Sequence, residues 1–264
     1  MSEELVKYAS RDGITRITLN DPGSLNSLSP PLVQRFGHIL NDLKASDEKT
    51  RCLIITGEGR AFSSGGNLKQ MNDPAIREQI TTTLLQQIYH PLFRQLRDFP
   101  APVVTSINGV AAGAGMSLAL LGDIIVARRS AYFLQAFRNV GLVPDCGSSW
   151  MLPRMIGMAR ARELSLLGER LPAETAYDWG LINRLAEDDQ LETVTQEMAE
   201  KIASGPLSSQ TSIRRIYWAS MHNSFEEQID LEDQLQQVAK EGPEVEEGLA
   251  AFREKRQVNF RGLD

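Results

Sequence analysis

Asn108 to Asp123 reads NGVAAGAGMSLALLGD, a glycine-punctuated turn that runs into a stretch of small apolar residues. It follows the apolar run Val103 to Ile107, which Pro100 and Pro102 open, and it precedes a second apolar run, Ile124 to Ala127. Short apolar runs bounded by turn residues read as buried strands, and proline favours an extended entry. Gly113 to Leu121 then reads as a small-residue helix, able to lie close on a sheet. Strand, turn, helix, strand is a crossover between parallel strands. The helix begins at the turn, so its free amides and dipole favour a negative ligand group there. A dinucleotide fingerprint would need a third glycine where Leu118 stands. The segment thus disfavours a nucleotide fold of that type.

Working outward, the same grammar repeats. Upstream, Asp12-Gly13 separates two alternating segments, Leu5 to Ser10 and Ile14 to Leu19, and predicts a hairpin. Leu32, Phe36, Ile39, Leu40 and Leu43 fall on one helical face, followed by the apolar run Cys52 to Thr56. A second glycine-rich turn, Ala61 to Asn67, comes after that run; Gly65 and Gly66 either make a tight surface turn or present amides to an anionic oxygen. Leu84, Leu85, Ile88, Leu92, Phe93 and Leu96 predict one long amphipathic helix with His90 on its polar side. Downstream, Gly141 to Ser149 holds Asp145 between Pro144 and Cys146. Apolar neighbours raise a carboxyl pKa and suit it to proton transfer, but an aspartate just before Gly147 also suits a helix cap. From about residue 190 strand signals end, and Leu191 to Ala203, Leu207 to Ala219, Phe225 to Lys240 and Val245 to Lys255 predict helices. The expectation is an α/β core over residues 1–200 and a helical region over residues 201–264.

Composition narrows the function. The 264 residues carry 28 basic and 34 acidic side chains, a net charge of -6, which disfavours binding driven by nucleic-acid phosphates. The two cysteines, Cys52 and Cys146, support neither a disulfide framework nor a zinc site with the three histidines, so no metal is expected and a reducing cytoplasmic setting fits. No signal peptide is visible in Met1 to Tyr8, and Asn108, Asp123 and the glycines interrupt the least polar stretch, so no membrane span is expected. P-loop, nucleophile-elbow and HExxH patterns are missing from the sequence.

Several separated motifs, in order, resemble the crotonase (enoyl-CoA hydratase/isomerase) superfamily: LNSL at Leu25 to Leu28, GEGRAFSSGGN at Gly57 to Asn67, NGVAAGAGMSLALLGD at Asn108 to Asp123, the Gly141 to Pro153 segment, and AETAYDWGLINRL at Ala173 to Leu185. The resemblance runs from about residue 5 to the AAFREKRQVNF ending at Ala250 to Phe260. It implies a ClpP/crotonase-like α/β fold of β-β-α spiral turns, with a C-terminal helical region assembling a homotrimer or a dimer of trimers. It implies an acyl-CoA substrate whose thioester oxygen meets the amides of Gly66 and Ala114. The CoA portion would lie along Ala61, Ser63 and Ser64, near Leu25 and Leu68; Gly23 and Ser24 stand where relatives carry a basic residue for the CoA phosphates, which leaves Arg60 or Lys255 to meet them.

Departures from the pattern select the reaction. The superfamily's hydratases carry two glutamates where this chain has Ser117 and Phe137, and neither of these exchanges a proton near neutral pH. Asp145 falls where isomerases and dehalogenases of the superfamily carry an aspartate. The local likeness to its ring-epoxide and enoyl-CoA isomerase group implies an isomerase with Asp145 as acid and base, and with no metal or redox cofactor. The alternatives are a hydratase with an atypical site and a non-catalytic scaffold that binds CoA esters.

Overall fold

The computed structural model describes residues 5–67 and 80–263. Strands β1 (Val6–Arg11) and β2 (Ile14–Leu19) pair antiparallel through Asp12 and Gly13, whose φ angles of 53° and 77° make the left-handed turn that matches strand twist. After helix α1 (Pro30–Ala45), strand β3 (Cys52–Gly57) adds parallel to β2. The chain then turns a corner into a three-residue strand, β4 (Ala61–Ser63). The same step recurs as β5 (Val103–Ile107) into β6 (Val110–Ala112), and as β7 (Ile124–Arg128) into β8 (Tyr132–Leu134). The long strands line up in one sheet, with the order β1-β2-β3-β5-β7-β10, where β10 is Arg184–Ala186; the short ones line up in a second, β4-β6-β8-β9, where β9 is Arg170–Pro172. Each β-β corner therefore stacks on the one before it. The fold is the crotonase-type β-β-α spiral, with helices closing each turn.

The short strands are the part that the sequence left as turns. Three residues are too few for an alternating pattern, and β4 and β6 earn their extended form from pairing with each other. The long strands read as continuous apolar runs because both faces of their sheet are covered. Leu53 and Ile55 face the large core with Phe36 and Phe62, while Cys52 and Ile54 face a second cluster with Val104 and Val126.

The helix expected over residues 84–96 is two helices in the structure. A π-type segment, Ile80–Tyr89, gives way to the α-helix α2 (His90–Arg97), and the wider turn brings Tyr89 into the core alongside Leu92, Phe93 and Leu96. Helix α3 (Ala114–Ala119) follows β6, and after β8 a 3-10 turn, Ala136–Val140, leads to α4 (Ser148–Ile156). Helices α5 (Met158–Leu167) and α6 (Ala173–Asp178) complete the middle of the chain.

Helix α7 (Leu191–Ala203) covers the second cluster, burying Ala199 and Ala203 against the sheet, so a division at residues 200 and 201 passes through it. Helix α8 (Leu207–Ser220) is tied to the core by Arg214, which is 7% exposed. Its Nε donates to Asp123 Oδ2 at 2.5 Å, and its other nitrogens donate to the carbonyls of Phe99 and Leu96 just beyond and within the end of α2. Helix α9 (Phe225–Lys240) starts with a Ser224–Glu227 capping box yet buries none of its residues. Helix α10 (Pro243–Glu254) sends Glu244 back to accept from the amides of Ser208 and Ser209 at the start of α8. No helix among the described residues is long and apolar enough to cross a membrane.

Removing one member of a buried ion pair leaves its partner desolvated and unpaired, at a cost of about 3–5 kcal/mol. The Arg214→Met variant is accordingly expected to lose stability of that order, measured by urea unfolding, because Asp123 also receives the Val103 amide and cannot turn to water without breaking β5.

Candidate active site

The site is built where successive turns of the spiral touch. Leu25 and Asn26 both hold left-handed backbone, with φ of 58° and 53°, a strained arrangement for side-chain-bearing residues. The fully buried Asn26 side chain offsets that strain: its amide nitrogen donates to the carbonyls of Glu58 and Ala61 at 2.9 and 2.7 Å, and its oxygen accepts from the Asp21 amide at 2.9 Å. Asn108 grips the same corner from the next turn, donating to Gly57 and Gly59 at 2.8 and 2.9 Å. The LNSL and GEGRAFSSGGN motifs thus lie side by side. Ser63 Oγ donates to the Asn26 carbonyl, the Ser64 amide to the Leu25 carbonyl, and the Leu28 amide to the Gly65 carbonyl, at 2.8, 2.9 and 2.8 Å. Ala61 and Ser63 are buried, Leu25 and Ser64 are half-buried, and Gly66 is exposed. Leu68 lies outside the described residues.

The next contact brings two predicted residues together. Gly65 has φ of +84°, and a Cβ there would stand 2.5 Å from the Ala112 carbonyl oxygen and 3.0 Å from the Ala114 nitrogen. Only glycine lets the two turns approach so closely. Gly115 makes the reciprocal approach, since a Cβ on it would meet the Ser63 carbonyl at 2.5 Å. The Gly66 and Ala114 amides are consequently near neighbours, and among the described residues no acceptor bonds either one. Around Gly66 a side chain would meet nothing within 4 Å. The open space beside it can therefore receive an acceptor atom from outside the protein.

The third turn lays the backbone of Asp145 against α3, the helix that begins at Ala114. Its backbone carbonyl accepts from Ser117 Oγ of α3 at 3.1 Å and from the Ser148 amide at 3.1 Å. Its side chain caps nothing: α4 begins after Gly147 with no side-chain cap bond, so the capping alternative does not hold. Asp145 Oδ1 is instead buried without a hydrogen-bond partner among the described residues. Burial pushes the carboxyl above its ordinary range, while a hydrogen bond from Cys146 and the charge of His90 pull it partly back. Of the apolar sequence neighbours, Val143 is 79% exposed and contributes little, while Cys146 is buried beside the carboxyl, and burial pushes its thiol up as well.

Ser117 and Phe137 complete the surroundings. Ser117 is fully buried, and Phe137, 7% exposed, places its ring 3.9 Å from where a Gly113 side chain would begin. His90 lies beyond Asp145, lining a cavity of about 270 Å³ with Phe93, Cys146, Gly147 and Trp150, not on a purely solvated face. His38 is exposed on α1, and His222 stacks on Trp150 at 5.1 Å. Lys255 is exposed at the end of α10, Arg60 is exposed at the corner before β4, and no hydrogen bond joins either side chain to the Gly65–Ala114 contact. Among the described residues no group of His, Cys, Asp and Glu converges as a metal site requires. Sequence reasoning missed Tyr89, whose hydroxyl donates to the Leu28 carbonyl. In a run such as LLQQIYHPLF an inward tyrosine carries no signal that separates it from a core residue.

Comparison with known proteins agrees along the whole chain. The family model described as Enoyl-CoA hydratase/isomerase matches residues 9–263. A 1,2-epoxyphenylacetyl-CoA isomerase of Escherichia coli strain K12 is 38% identical over 99% of this chain and 100% of its own. A probable enoyl-CoA hydratase of Rhodobacter capsulatus is 36% identical over 99% of this chain and 100% of its own. The crystal structure of an enoyl-CoA hydratase from Polaromonas sp. JS666 superposes with a TM-score of 0.90 at 32% identity, covering 97% of this chain and 99% of that one.

A carboxyl whose pKa is raised by folding holds its proton more tightly folded than unfolded, so its effect on stability worsens as pH rises past the ordinary aspartate value. Asp145→Asn should melt higher than the parent at pH 8. The gap should shrink as pH falls and vanish below about 4, where both states of the parent are protonated. Thermal unfolding across that range measures it, and a variant no more stable at pH 8 would contradict the desolvation described here.

Proposed function

Since the chain belongs to the enoyl-CoA hydratase/isomerase family, we propose that it is an acyl-CoA isomerase that moves a double bond, or opens a ring epoxide, through a thioester enolate. The amides of Gly66 and Ala114 receive the thioester oxygen as it takes on negative charge. Preorganised donors of this kind contribute about 3–4 kcal/mol each to a transition state. Asp145 takes a proton from carbon 2 of a 3-enoyl thioester, and the dienolate electrons shift toward carbon 4. Returning the same proton to carbon 4 gives the 2-enoyl product and restores the carboxylate. No electrons leave the substrate, so the step calls for no redox cofactor. The observation that carries this reading is the buried, unpartnered Asp145 Oδ1 in the turn held by Ser117. A carboxyl raised toward the working pH is a better match for the carbon acid it must deprotonate.

Two-carboxylate hydration has less support. Ser117 and Phe137 line the Gly113 turn without a titrating group. On this reading the CoA portion follows the backbone edge at Ala61, Ser63 and Ser64, beside Leu25, with Phe137 against the acyl group and Lys255 toward the phosphates. The C-terminal helical region from residue 201 onward assembles the homotrimer or dimer of trimers. This is supported by the apolar side chains that α9 and α10 leave uncovered in the single chain, Phe225 at 75% and Phe252 at 83% exposure among them. The two unpaired, buried thiols of Cys52 and Cys146 suit a reducing cytoplasm. We take no nucleic acid and no membrane as partners, given the net charge of -6.

Incubation with 3-enoyl-CoA, 2-enoyl-CoA and epoxyphenylacetyl-CoA tests the proposal, following double-bond migration, water addition and ring expansion separately. Asp145→Asn should lower isomerase turnover by about 10²- to 10⁴-fold while acyl-CoA still raises the melting temperature. Full turnover in that variant rules the mechanism out. Rapid hydration of a 2-enoyl-CoA by the parent favours the atypical hydratase, and stabilisation by every acyl-CoA with turnover of none favours the scaffold.

A further inference from the structure

The Gly66 amide does not aim itself. In a trans peptide the carbonyl of one residue and the amide of the next point in opposite directions across one rigid plane. Whatever holds the Gly65 carbonyl therefore sets the direction of the Gly66 N–H. The Leu28 amide holds it, donating at 2.8 Å. Leu28 is in turn held at its own carbonyl by the hydroxyl of Tyr89. Leu28 is fully buried, and Tyr89, 5% exposed, reaches it from the junction where the π-type segment passes into α2. Glycine tolerates a wide range of backbone angles, so the bond that the Leu28 amide donates is a restraint the Gly65 residue type does not itself supply.

We infer that Tyr89 is a positioning residue of the proposed reaction: its phenol fixes Leu28, Leu28 fixes the Gly65–Gly66 peptide plane, and that plane aims the Gly66 amide at the thioester oxygen. The inference rests on the oxyanion role of Gly66 proposed above and goes one layer further out. Tyr89 stays neutral and able to donate, because burial pushes its phenol upward and the nearby Cys146 and Asp145 add to that direction. The same residue therefore stands between the two halves of the site, bonded toward the Gly66 amide and packed close enough to Asp145 to sense its charge. The π-type turn that precedes it is the irregularity that brings the hydroxyl inward.

The test is the infrared stretch of the thioester carbonyl in butyryl-CoA labelled with carbon-13 at that carbon, a saturated ligand that cannot isomerise. Bound to the parent protein, the band should move to lower frequency, and Asp145→Asn should leave that movement unchanged. Tyr89→Phe, which keeps the ring and removes only the hydroxyl, should reduce the movement to half or less and broaden the band. Its kcat for 3-enoyl-CoA should fall about 10- to 100-fold, below the loss from deleting an oxyanion donor outright, with KM changed by about twofold at most. Incorporation of 3-fluorotyrosine at Tyr89, which retains ring and donor, should keep both the band position and kcat, separating hydrogen bonding from packing. A Tyr89→Phe variant with the parent's full carbonyl shift overturns the role of Tyr89 alone. An unshifted carbonyl in the parent overturns the oxyanion reading of Gly66 and this inference with it.

Discussion

Two turns of the spiral meet where Gly65 lies against the Ala112 carbonyl and the Ala114 nitrogen, closer than any side chain would allow. The rest of the site follows from that approach. It brings the start of α3 beside the loop after β4, and each turn contributes one amide without an acceptor among the described residues. The surrounding order serves to hold the approach in place: Asn26 and Asn108 grip the corner at Gly57–Ala61 from both sides, and Ser63 and Ser64 bond back to the LNSL segment. Backbone-to-backbone contact is the one way to place two amides this near each other without a side chain between them.

The second half of the site is a carboxylate kept under unfavourable conditions. Most buried polar atoms are paired, and an exception calls for a reason. Asp145 Oδ1 is such an exception, in a turn whose carbonyl is well bonded and whose next residue, Cys146, adopts a left-handed backbone. The chain thus fixes the backbone of Asp145 firmly while leaving its side chain underserved. That arrangement lowers stability wherever the carboxyl is ionised, because its charged form is desolvated.

Distant parts of the chain bear on this geometry through packing. Arg214 ties α8 to Asp123 at the start of β7 and to the carbonyls at the end of α2. Trp218 of the same helix stacks on Trp150 of α4 at 5.6 Å. The helix that leads out of the C-terminal region is therefore latched to the elements that carry His90 and follow Asp145. Beyond it, α9 and α10 present apolar side chains outward, Phe225 and Phe252 among them.

The sequence by itself determined the repeated strand-to-helix crossovers and the glycine-rich turns that end them, and the motifs that resemble the superfamily implied the spiral. Only the structure shows that Gly65 and Gly115 are the two glycines where backbone approaches backbone too closely for a side chain. The sequence also determined the long strands, the hairpin at Asp12-Gly13 and the C-terminal helices, each long enough for periodicity to speak. Three-residue strands such as β4 and β6 have no period to read, and only their pairing made them strands. Which of two roles Asp145 plays was likewise open, since a cap and a desolvated carboxyl share one local sequence. The tertiary structure shows the desolvated carboxyl: Oδ1 is buried with no partner among the described residues, and the side chain makes no cap bond to α4. Tyr89 lay beyond sequence reading altogether: its hydroxyl acquires a partner 61 positions away, and hydrogen bonding across that distance is a property of packing, not of any local pattern.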